Sequence, residues 1–553
     1  MSSFARFLQH PLFSSVASAA VLNLAFAPFN QFYLAWVALA PWLIAVARSG
    51  SAWTAAGLGF ASGLMFFGIM LHWLWHATIP GTFALLLYLS LYWALAGGVI
   101  HRVARLAGVF PGHSATGSVI PLLKFALGAA AVWTTCEWLR GWVFGGFPWA
   151  SLSQTQVPAV LLCQIAELTG HFGISFWLVL INALIAGLVL TQFRARPVLA
   201  GSAVAGSVTL GVVAFGLWRC AEVVPSDGPN ILIVQPDFPH ARGGARRVTF
   251  DQQIRFHFQT TEQALQQASE PVDLIVWSET VLPAMNPEAI RRSTNPAHAT
   301  ELEKRLRDLV QRNNTSLVFG GYALLKLEAS RSDADVRNST YLYAPDALPQ
   351  RYDKIHLVPF GETVWFKDSI PWLHRLLFKL AAYSVEYVIT PGDRAAMTVF
   401  SIPCHRRGPG DSSATQRVRF ITPICFESIN SALVAQMLRE PGGGKRADLI
   451  VNITNDGWFN RFHKAQNMQM SRLRAVENRL WMVRASNTGI SGVIDPAGRL
   501  VESLPAGREG VIVRRVGIDP RATPYTRLGN WFPALCAGVS MLMLVGILFG
   551  RLR

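Results

Sequence analysis

Three residues in separate stretches of the sequence carry the side chains that thiol catalysis needs. Glu279 ends one apolar run, Cys425 ends another, and Lys354 lies in the stretch 351–362 between them. A thiol becomes a good nucleophile when a nearby base, such as a partly desolvated glutamate, removes its proton and a nearby cation stabilises the thiolate. We predict that Glu279 is the base for the Cys425 nucleophile. Lys354 and the backbone N–H of Phe426 then face the oxyanion of a tetrahedral intermediate.

Each of these residues also has a structural interpretation. A lone cysteine is more often a small buried hydrophobe than a nucleophile. Glu279 is placed to cap the helix that follows it, and Lys354 is placed to pair with its neighbour Asp353 at the rim of the domain. A disulfide between Cys425 and Cys404 is a further alternative, and in an oxidising compartment it would silence the thiol.

The composition indicates a protein that is largely embedded in a membrane. Of its 553 residues, 51% are hydrophobic, only 15% are charged and 18 are tryptophan, which is too apolar for an ordinary soluble enzyme. The apolar residues fill 1–220 and 529–550 in runs long enough to cross a bilayer, which takes roughly 20 residues per helix. Residues 228–518 are predicted to form a water-soluble catalytic domain. We predict about eight transmembrane helices, near residues 12–28, 31–47, 53–75, 81–100, 118–138, 160–191, 198–218 and 529–550.

Basic residues set the predicted orientation of these helices. They form five clusters that all fall on one face, namely Arg6; Arg48; His101, Arg102 and Arg105; Arg194 and Arg196; Arg551 and Arg553. The positive-inside rule makes this face cytoplasmic, so residues 228–518 face outward. The first apolar run has an alternative interpretation as a cleaved signal peptide, because small residues occupy Ala17–Ala19. The net charge of +16 fits anionic lipid head groups, and no nucleic acid partner is predicted.

Two ionisable residues near the fifth predicted span have two interpretations. Glu137 and Arg140 form an interfacial ion pair among tryptophans at head-group level, or they line a lipid-binding cavity. The second interpretation is supported by the high free-energy cost of placing ionisable groups within a membrane, since residues retained there usually have a function. The sequence leaves both open.

The polar region alternates strand-like and helix-like runs, which predicts a layered α/β domain. The predicted strands are Asn230–Gln235, Leu274–Trp277, Ser316–Gly320, Thr340–Tyr343, Val418–Cys425, Asp448–Thr454, Gly492–Ile494 and Gly510–Val513. The predicted helices lie near 250–269, 300–313, 429–439 and 464–484. The cysteines show no metal-ligand spacing, and we predict neither a metal site nor a cofactor.

The three candidate residues and their surrounding motifs resemble the nitrilase superfamily, whose sites combine Glu, Lys and Cys on an αββα sandwich. The resemblance extends to the motifs in 452–459, 474–479 and 484–489. With the flanking apolar runs included, the whole chain resembles the bacterial apolipoprotein N-acyltransferases, a membrane-bound branch of that superfamily.

This resemblance implies an inner-membrane enzyme with a periplasmic catalytic domain. The family moves an acyl chain from a phospholipid, chiefly phosphatidylethanolamine, to the α-amino group of the diacylglyceryl cysteine of apolipoproteins, the last step of bacterial lipoprotein maturation. By that resemblance Glu279 is the general base, Lys354 the oxyanion stabiliser and Cys425 the nucleophile. Glu362 is expected to hold Lys354 or to relay protons, and Glu427 matches a further motif glutamate. Because donor and acceptor both carry bulky acyl chains, we expect a ping-pong exchange through a thioester on Cys425.

The chain departs from the family pattern at three places. Ser278 stands where the motif around the base has proline, and Phe426 stands where tyrosine is common after the nucleophile. The stretch 236–250 lacks the usual glycine-asparagine and tryptophan. Neither of the first two departures removes a catalytic atom, but the missing tyrosine hydroxyl changes the contacts available to a substrate. The third departure weakens the expectation that this loop acts as a gate.

Two other functions compete with acyl transfer. A membrane-tethered amidase or nitrilase-type hydrolase would use the same three residues, but it would need one membrane anchor rather than about eight spans. A non-enzymatic membrane scaffold that binds lipoproteins is the third hypothesis. The complete Glu–Lys–Cys set argues against it.

Overall fold

A computed structural model describes residues 10–109, 118–222, 227–239, 248–326, 335–364, 366, 369–379, 389–405 and 415–550. The chain divides into two compact units. The first comprises Met1–Trp75, Thr82–Glu222 and Leu528–Arg553, and the second comprises His76–Gly81 and Val223–Arg527. The two apolar ends of the sequence thus belong to one unit, and most of the polar region belongs to the other.

Helices build the first unit. Its labelled helices are α1 (Pro11–Asn23), α2 (Ala40–Arg48), α3 (Ala52–Met70), α4 (Ile79–Ala107), α5 (Ile120–Arg140), α6 (Val160–Cys163), α7 (Ala166–Thr169), α8 (Phe172–Leu190) and α9 (Ala195–Ala221). A C-terminal helix follows at Trp531–Gly550. By length and composition, four helices within the described ranges can cross a membrane, namely α3, α4, α8 and α9. The predicted membrane-helix character is therefore confirmed, while the count of eight spans stays a prediction.

Two of the predicted spans are interrupted. The span predicted at 160–191 is three helices, because Gly170 takes φ 67° and separates α7 from α8. The span predicted at 31–47 is a 3-10 turn at Phe32–Trp36 followed by α2. Hydropathy averages over such breaks because the residues on both sides are apolar, so the sequence predicts longer helices than the structure has.

Asn182 of α8 supplies hydrogen bonds to the backbone at the second of these breaks. Its Oδ1 accepts from the N–H groups of Leu39 and Ala40, each at 3.0 Å, and its Nδ2 donates to the carbonyl of Ala35 at 2.9 Å. A helix start in apolar surroundings leaves N–H groups without partners, and a side-chain amide provides both the acceptor and the donor that the break requires.

Two six-stranded sheets form the centre of the second unit. Their strands are β1 (Asn230–Gln235), β2 (Leu274–Val276), β3 (Ser316–Lys326), β4 (Asp335–Tyr343), β5 (Gln350–Asp353), β6 (Phe400–His405), β7 (Thr415–Ile421), β8 (Leu449–Thr454), β9 (Trp481–Ser486), β10 (Ser491–Ile494), β11 (Leu500–Leu504) and β12 (Gly510–Arg515). The orders are β12-β1-β2-β3-β4-β5 and β11-β10-β9-β8-β7-β6. In each sheet three neighbouring strands are parallel, β1 to β3 and β7 to β9, and the remaining neighbours are antiparallel.

The sheets pack face to face, and helices cover their outer faces. The helices of this unit are α10 (Phe250–Gln267), α11 (Pro287–Arg291), α12 (Pro296–Arg312), α13 (Pro371–Phe378), α14 (Ser431–Leu438), α15 (Arg461–Asn478) and α16 (Pro524–Leu528). Fully buried residues of both sheets, such as Ile233 and Phe420, share one apolar cluster. A second cluster joins the other face of the first sheet, through Ile275, to Phe258 of α10 and Leu306 of α12. This arrangement confirms the predicted layered α/β domain.

The prediction of a helix near 464–484 is wrong over its last residues. α15 ends at Asn478, because Arg479 takes the left-handed conformation with φ 47°, and Trp481–Ser486 forms β9. This strand is buried on both faces, so its sequence lacks the alternation of apolar and polar residues that identifies a half-exposed strand. The sequence pattern therefore predicts a continuation of the helix. The sequence also did not predict β5, β6 and β11.

Candidate active site

The predicted catalytic residues come together where strands of both sheets end. Glu279 follows β2, Lys354 follows β5 and Cys425 follows β7. Lys354 Nζ lies 3.5 Å from Oε1 of Glu279, and the Cys425 thiol lies close enough to both groups for their charges to shift its pKa. Glu362 joins the group, since its Oε1 accepts from Lys354 Nζ at 2.9 Å. We call Glu279, Lys354, Glu362 and Cys425 the catalytic cluster.

Lys354 lies in the interior of the domain and not at its rim. Its side chain is 1% exposed, and its two carboxylate partners are Glu279 and Glu362. Asp353, the partner expected from the sequence neighbourhood, pairs with Arg351 at 2.8 Å and accepts from Ser339 at 2.7 Å. The structural interpretation of Lys354 as a rim lysine is therefore wrong.

Glu279 is a buried acceptor rather than a helix cap. Its Oε2 accepts from the backbone N–H of Asn455 at 2.7 Å, and its Oε1 accepts from Asn338 Nδ2 at 2.8 Å. Its backbone lies against Gly320 of β3, where a Cβ atom would come within 2.6 Å of the Glu279 Cα. The absence of a side chain at Gly320 therefore lets β3 approach the backbone of Glu279 closely. This close contact fixes the position from which the Glu279 side chain extends.

Asn338 is a site residue that the sequence did not reveal. Its Nδ2 donates to Oε1 of Glu279 at 2.8 Å and to Oε1 of Glu362 at 3.1 Å. One amide group thus holds the two carboxylates on either side of Lys354. Asn338 belongs to β4, and β4 pairs with β5 just before Lys354. Its neighbours in β4, Arg337 and Ser339, are also polar, so nothing in the sequence of the strand sets Asn338 apart.

Cys425 opens a tight turn with an unusual backbone conformation. It is the first residue of the 3-10 turn Cys425–Ile429, and its φ of 49° lies in the left-handed region that residues with a side chain rarely adopt. Cys425 and Cys404 are both free thiols, so the disulfide alternative is wrong. Cys404 is instead buried in β6, with its sulfur 3.9 Å from a carboxylate oxygen of Asp273.

Glu427 ties the segment of Cys425 to the segment of Lys354. Its side chain is fully buried and accepts from the backbone N–H groups of Ile355 at 2.7 Å, His356 at 3.0 Å and Ile424 at 2.8 Å. The hydroxyl of Tyr352 donates to the same carboxylate at 3.0 Å. These bonds join residues next to Lys354 with the residue before Cys425, so Glu427 acts as a positioning residue.

Phe426, the residue after the nucleophile, packs beside the site. Its ring stacks on the ring of His356, with centroids 5.6 Å apart and planes 9° apart. Burial, with a smaller contribution from Lys354, lowers the pKa of His356 to about 4, so this imidazole is neutral at physiological pH. The pair forms an apolar wall next to the segments that carry Lys354 and Cys425.

Burial and charge together set the protonation of the catalytic cluster. Burial, reinforced by the Glu279 carboxylate, raises the pKa of the Cys425 thiol to about 12. Burial likewise raises the pKa of Glu279, and Lys354 opposes that effect. Burial alone would lower the pKa of Lys354, but the carboxylates of Glu362 and Glu279 outweigh it and raise that pKa. The resting site therefore holds a neutral thiol beside a carboxylate of increased basicity and a permanent ammonium.

A buried ion pair supports the backbone that faces Glu279. Arg484 of β9 donates to Asp456 at 2.9 Å and also contacts Asn452. Asp456 follows directly after Asn455, whose N–H bonds to Glu279. Asn452 in turn donates to the carbonyl of Pro423 at 2.7 Å, close in sequence to Cys425. The 452–456 segment thus reaches both the base and the turn of the nucleophile.

Two of the three departures from the family pattern meet at a recess next to the base. Pro236 and Phe238, together with Ser278 and Glu279, are among the residues that line it. Asn487 holds this part of the chain in place, because its amide both accepts from the N–H of Phe238 at 3.0 Å and donates to its carbonyl at 2.9 Å. Residues 240–247 of the stretch 236–250 lie outside the described residues.

No group of three or more His, Cys, Asp or Glu side chains in the described ranges is arranged to hold a metal ion. The ionisable groups of the site are committed to one another. Two carboxylates face one ammonium, and the charge of Glu279 raises the pKa of the thiol beside it. The arrangement suits acyl transfer through a cysteine.

Comparison with known proteins agrees with the fold. The carbon-nitrogen hydrolase family model matches residues 250–521, so this part of the chain is a carbon-nitrogen hydrolase domain. The model of the apolipoprotein N-acyltransferase N-terminal domain matches residues 18–184. The chain is 30% identical over 547 residues to an apolipoprotein N-acyltransferase of Geobacter metallireducens, which covers 94% of this chain and 92% of that relative. It is 29% identical over 552 residues to that of Methylococcus capsulatus, which covers 96% and 94%.

The chain belongs to the apolipoprotein N-acyltransferase family. The resemblance drawn from the sequence motifs is thereby confirmed, and the family name makes the protein an acyltransferase with a carbon-nitrogen hydrolase domain.

Glu427→Gln tests the positioning role of the buried glutamate. The amide offers one oxygen instead of two, so either the Ile355 and His356 N–H groups or the Ile424 N–H loses its acceptor. An unsatisfied buried N–H costs about 1–3 kcal/mol, and we expect lower thermal stability together with a fall in turnover of ~10-fold or more. Acyl-transfer assays and thermal melts of purified protein measure both. Glu440→Gln, at an exposed glutamate of the same unit, is the control and should change neither; an unchanged Glu427→Gln protein would contradict the role.

Proposed function

We propose that this protein transfers a fatty acyl chain from a phospholipid, phosphatidylethanolamine above all, to the α-amino group of the diacylglyceryl cysteine of apolipoproteins. The observation that carries the proposal is the catalytic cluster, in which a half-buried thiol lies beside a buried carboxylate and a buried ammonium that pair with each other. Membership in the apolipoprotein N-acyltransferase family supports the assignment of donor and acceptor classes.

In the first half-reaction Glu279 takes the proton of the Cys425 thiol. The sulfur attacks the ester carbonyl of the phospholipid, and the ammonium of Lys354 stabilises the oxyanion of the tetrahedral intermediate. When this intermediate collapses, the bond between the carbonyl carbon and the glycerol oxygen breaks. Glu279 returns the proton to that oxygen, so lysophospholipid leaves and a thioester remains on Cys425.

In the second half-reaction the neutral α-amino group of the acceptor attacks the thioester. Lys354 again faces the oxyanion, and Glu279 removes a proton from the attacking nitrogen. The carbon–sulfur bond then breaks, and the proton on Glu279 restores the Cys425 thiol. The raised pKa of Glu279 suits both steps, because a more basic carboxylate accepts a proton from a poorly acidic thiol at a lower cost.

Glu362 and Asn338 have supporting roles in this mechanism. Glu362 pairs with Lys354 at 2.9 Å, and Asn338 donates to both carboxylates, so together they keep the ammonium and the base at fixed positions. A fixed charge stabilises a transition state without first having to reorganise.

We further propose that the protein lies in the inner membrane with residues 228–518 in the periplasm. The basic clusters at the ends of the apolar helices support this orientation through the positive-inside rule. The apolar segments 1–220 and 529–550 would then hold the protein in the bilayer through about eight helices, some of them interrupted.

A thioester on Cys425 is the central test of the proposal. Incubation with phosphatidylethanolamine in the absence of acceptor should add one acyl mass to the peptide that contains Cys425. Hydroxylamine should remove that mass, and a diacylglyceryl peptide should remove it while gaining an N-acyl group. Intact-protein and peptide mass spectrometry measure these changes.

The matched control for the thioester is Cys404→Ala, because Cys404 is the other cysteine in the described part of the second unit. Its substitution should leave the label on Cys425 unchanged, whereas Cys425→Ala should abolish it. Wild-type protein without acyl label, or equal label in Cys425→Ala, would contradict a ping-pong reaction through this nucleophile.

Glu279→Gln and Lys354→Met test the base and the oxyanion stabiliser. Each should lower turnover by ~10²-fold or more, because the first removes the proton acceptor and the second removes the charge that faces the oxyanion. Lys445→Met is the matched control, since Lys445 is a buried lysine that donates to the carbonyls of Asp519 and Arg479. Lys445→Met should lower the thermal stability of the protein and leave its turnover unchanged. Near-normal turnover in Glu279→Gln or Lys354→Met would show that the substituted residue has a structural role and not a catalytic one.

Reporter fusions test the orientation. A reporter after Val224 should behave as periplasmic and one after Arg553 as cytoplasmic, because the positive-inside rule places the basic clusters in the cytoplasm. Alkaline phosphatase and green fluorescent protein activities give complementary readouts at each site. The reversed pair of signals would contradict the periplasmic placement of the catalytic cluster.

A further inference from the structure

Arg140 is a buried cation of the first unit with almost no acceptor among the described residues. It is the last residue of α5, and 3% of its surface is exposed. Its side chain makes one hydrogen bond there, from Nη2 to the hydroxyl of Ser151, at the long distance of 3.5 Å. Its Nε has no partner within the described part of the chain. Because a guanidinium carries five N–H donors, most of its hydrogen-bonding capacity is unused.

The neighbouring carboxylate does not supply the missing acceptor. Glu137 lies one helical turn before Arg140, but its Oε1 accepts from Trp133 Nε1 at 3.0 Å and from the backbone N–H of Leu152 at 2.9 Å. Its second oxygen has no partner in the described ranges. Of the two interpretations that the sequence left open, the interfacial ion pair between Glu137 and Arg140 is therefore not formed.

The other groups around Arg140 are committed or apolar. Tyr88 donates to the carbonyl of Val143 at 2.9 Å, and the hydroxyls of Tyr88 and Tyr92 lie 2.6 Å apart. The Phe67 ring faces the guanidinium, with Cζ 5.3 Å from the ring centroid. This cation–π contact stabilises the charge and leaves the N–H groups in the plane of the guanidinium available.

Arg219 shows how a buried arginine of the same unit is normally satisfied. It is 8% exposed, and it pairs with Glu167 at 2.8 Å and with Glu222 at 2.6 Å. A buried charge without such partners is destabilising, because desolvation is not compensated by hydrogen bonds. The contrast between Arg219 and Arg140 indicates that the hydrogen-bond acceptor of Arg140 belongs to a molecule outside the chain.

We propose that Arg140 binds the phosphodiester group of a phospholipid through its unused N–H groups. A phosphodiester carries one negative charge on two free oxygens, which match the two parallel N–H bonds that a guanidinium forms. The apolar helices of the unit suit the acyl chains of the same molecule. Binding needs no chemistry at Cys425, so this site goes beyond the proposed acyl transfer.

Thermal melts of the full-length chain in detergent, in a Cys425→Ala background, test this site without any turnover. Dioleoyl phosphatidylethanolamine should raise the melting temperature more than dioleoylglycerol, because the second lipid has the same chains but no phosphate. The difference between the two lipids should vanish in Arg140→Gln and persist in part in Arg140→Lys, which keeps the charge without the planar fork. In Arg219→Gln, the matched control, the melting temperature should fall while the difference between the lipids remains.

The outcomes separate a lipid site from the alternatives. Equal stabilisation by the two lipids, or a difference that survives in Arg140→Gln, would overturn the proposal. Stabilisation by inorganic phosphate that equals that by the phospholipid would assign Arg140 to free phosphate and would overturn the lipid site. The melting temperature of lipid-free Arg140→Gln adds an independent readout: loss of a guanidinium with one long hydrogen bond should lower it less than Arg219→Gln does, whereas an equal fall would assign Arg140 to a structural role.

Discussion

One buried ammonium shared by two carboxylates is the interaction on which the catalytic domain depends. Lys354 lies 3.5 Å from Glu279 and 2.9 Å from Glu362, and its side chain is 1% exposed. Burial, reinforced by the Glu279 carboxylate, raises the pKa of the adjacent Cys425 thiol, so this thiol stays protonated at rest. Transfer of the thiol proton to Glu279 would leave the net charge of the cluster unchanged.

The arrangement of the two sheets makes this cluster possible. The first sheet contributes Glu279 and Lys354 from the ends of β2 and β5, and Asn338 from β4 lies between their carboxylate partners. The second sheet contributes Cys425 after β7. Because the residues come from different sheets, their distances depend on how the sheets pack, and Glu427 adds direct bonds between the two segments. The packing of the apolar core between the two sheets therefore sets the distances within the catalytic cluster.

The sequence was sufficient to predict the layered fold and the clustering of Glu279, Lys354 and Cys425, because both follow from local signals. Glu279 and Cys425 were identified because each ends an apolar run, and the alternation of strand-like and helix-like runs predicted the α/β layers. The structure was needed for Asn338, since a single asparagine in a strand has no motif of its own. β9 was hidden for a different reason: its two buried faces remove the alternation that identifies strands. In the first unit, breaks such as Gly170 were hidden by the uniform apolarity of the residues around them.

The backbone conformation of Cys425 has a consequence for stability. At φ 49° a residue with a side chain sits about 1–2 kcal/mol above its ordinary conformations, while glycine would adopt the same angle with little strain. Replacing Cys425 by glycine is therefore expected to relieve strain, so the proposed nucleophile is a residue that the local backbone disfavours. Threonine, which is branched at Cβ, would add crowding to that strain, so its hydroxyl is a poor substitute for the thiol on backbone grounds alone. At this position selection for stability and selection for activity act in opposite directions.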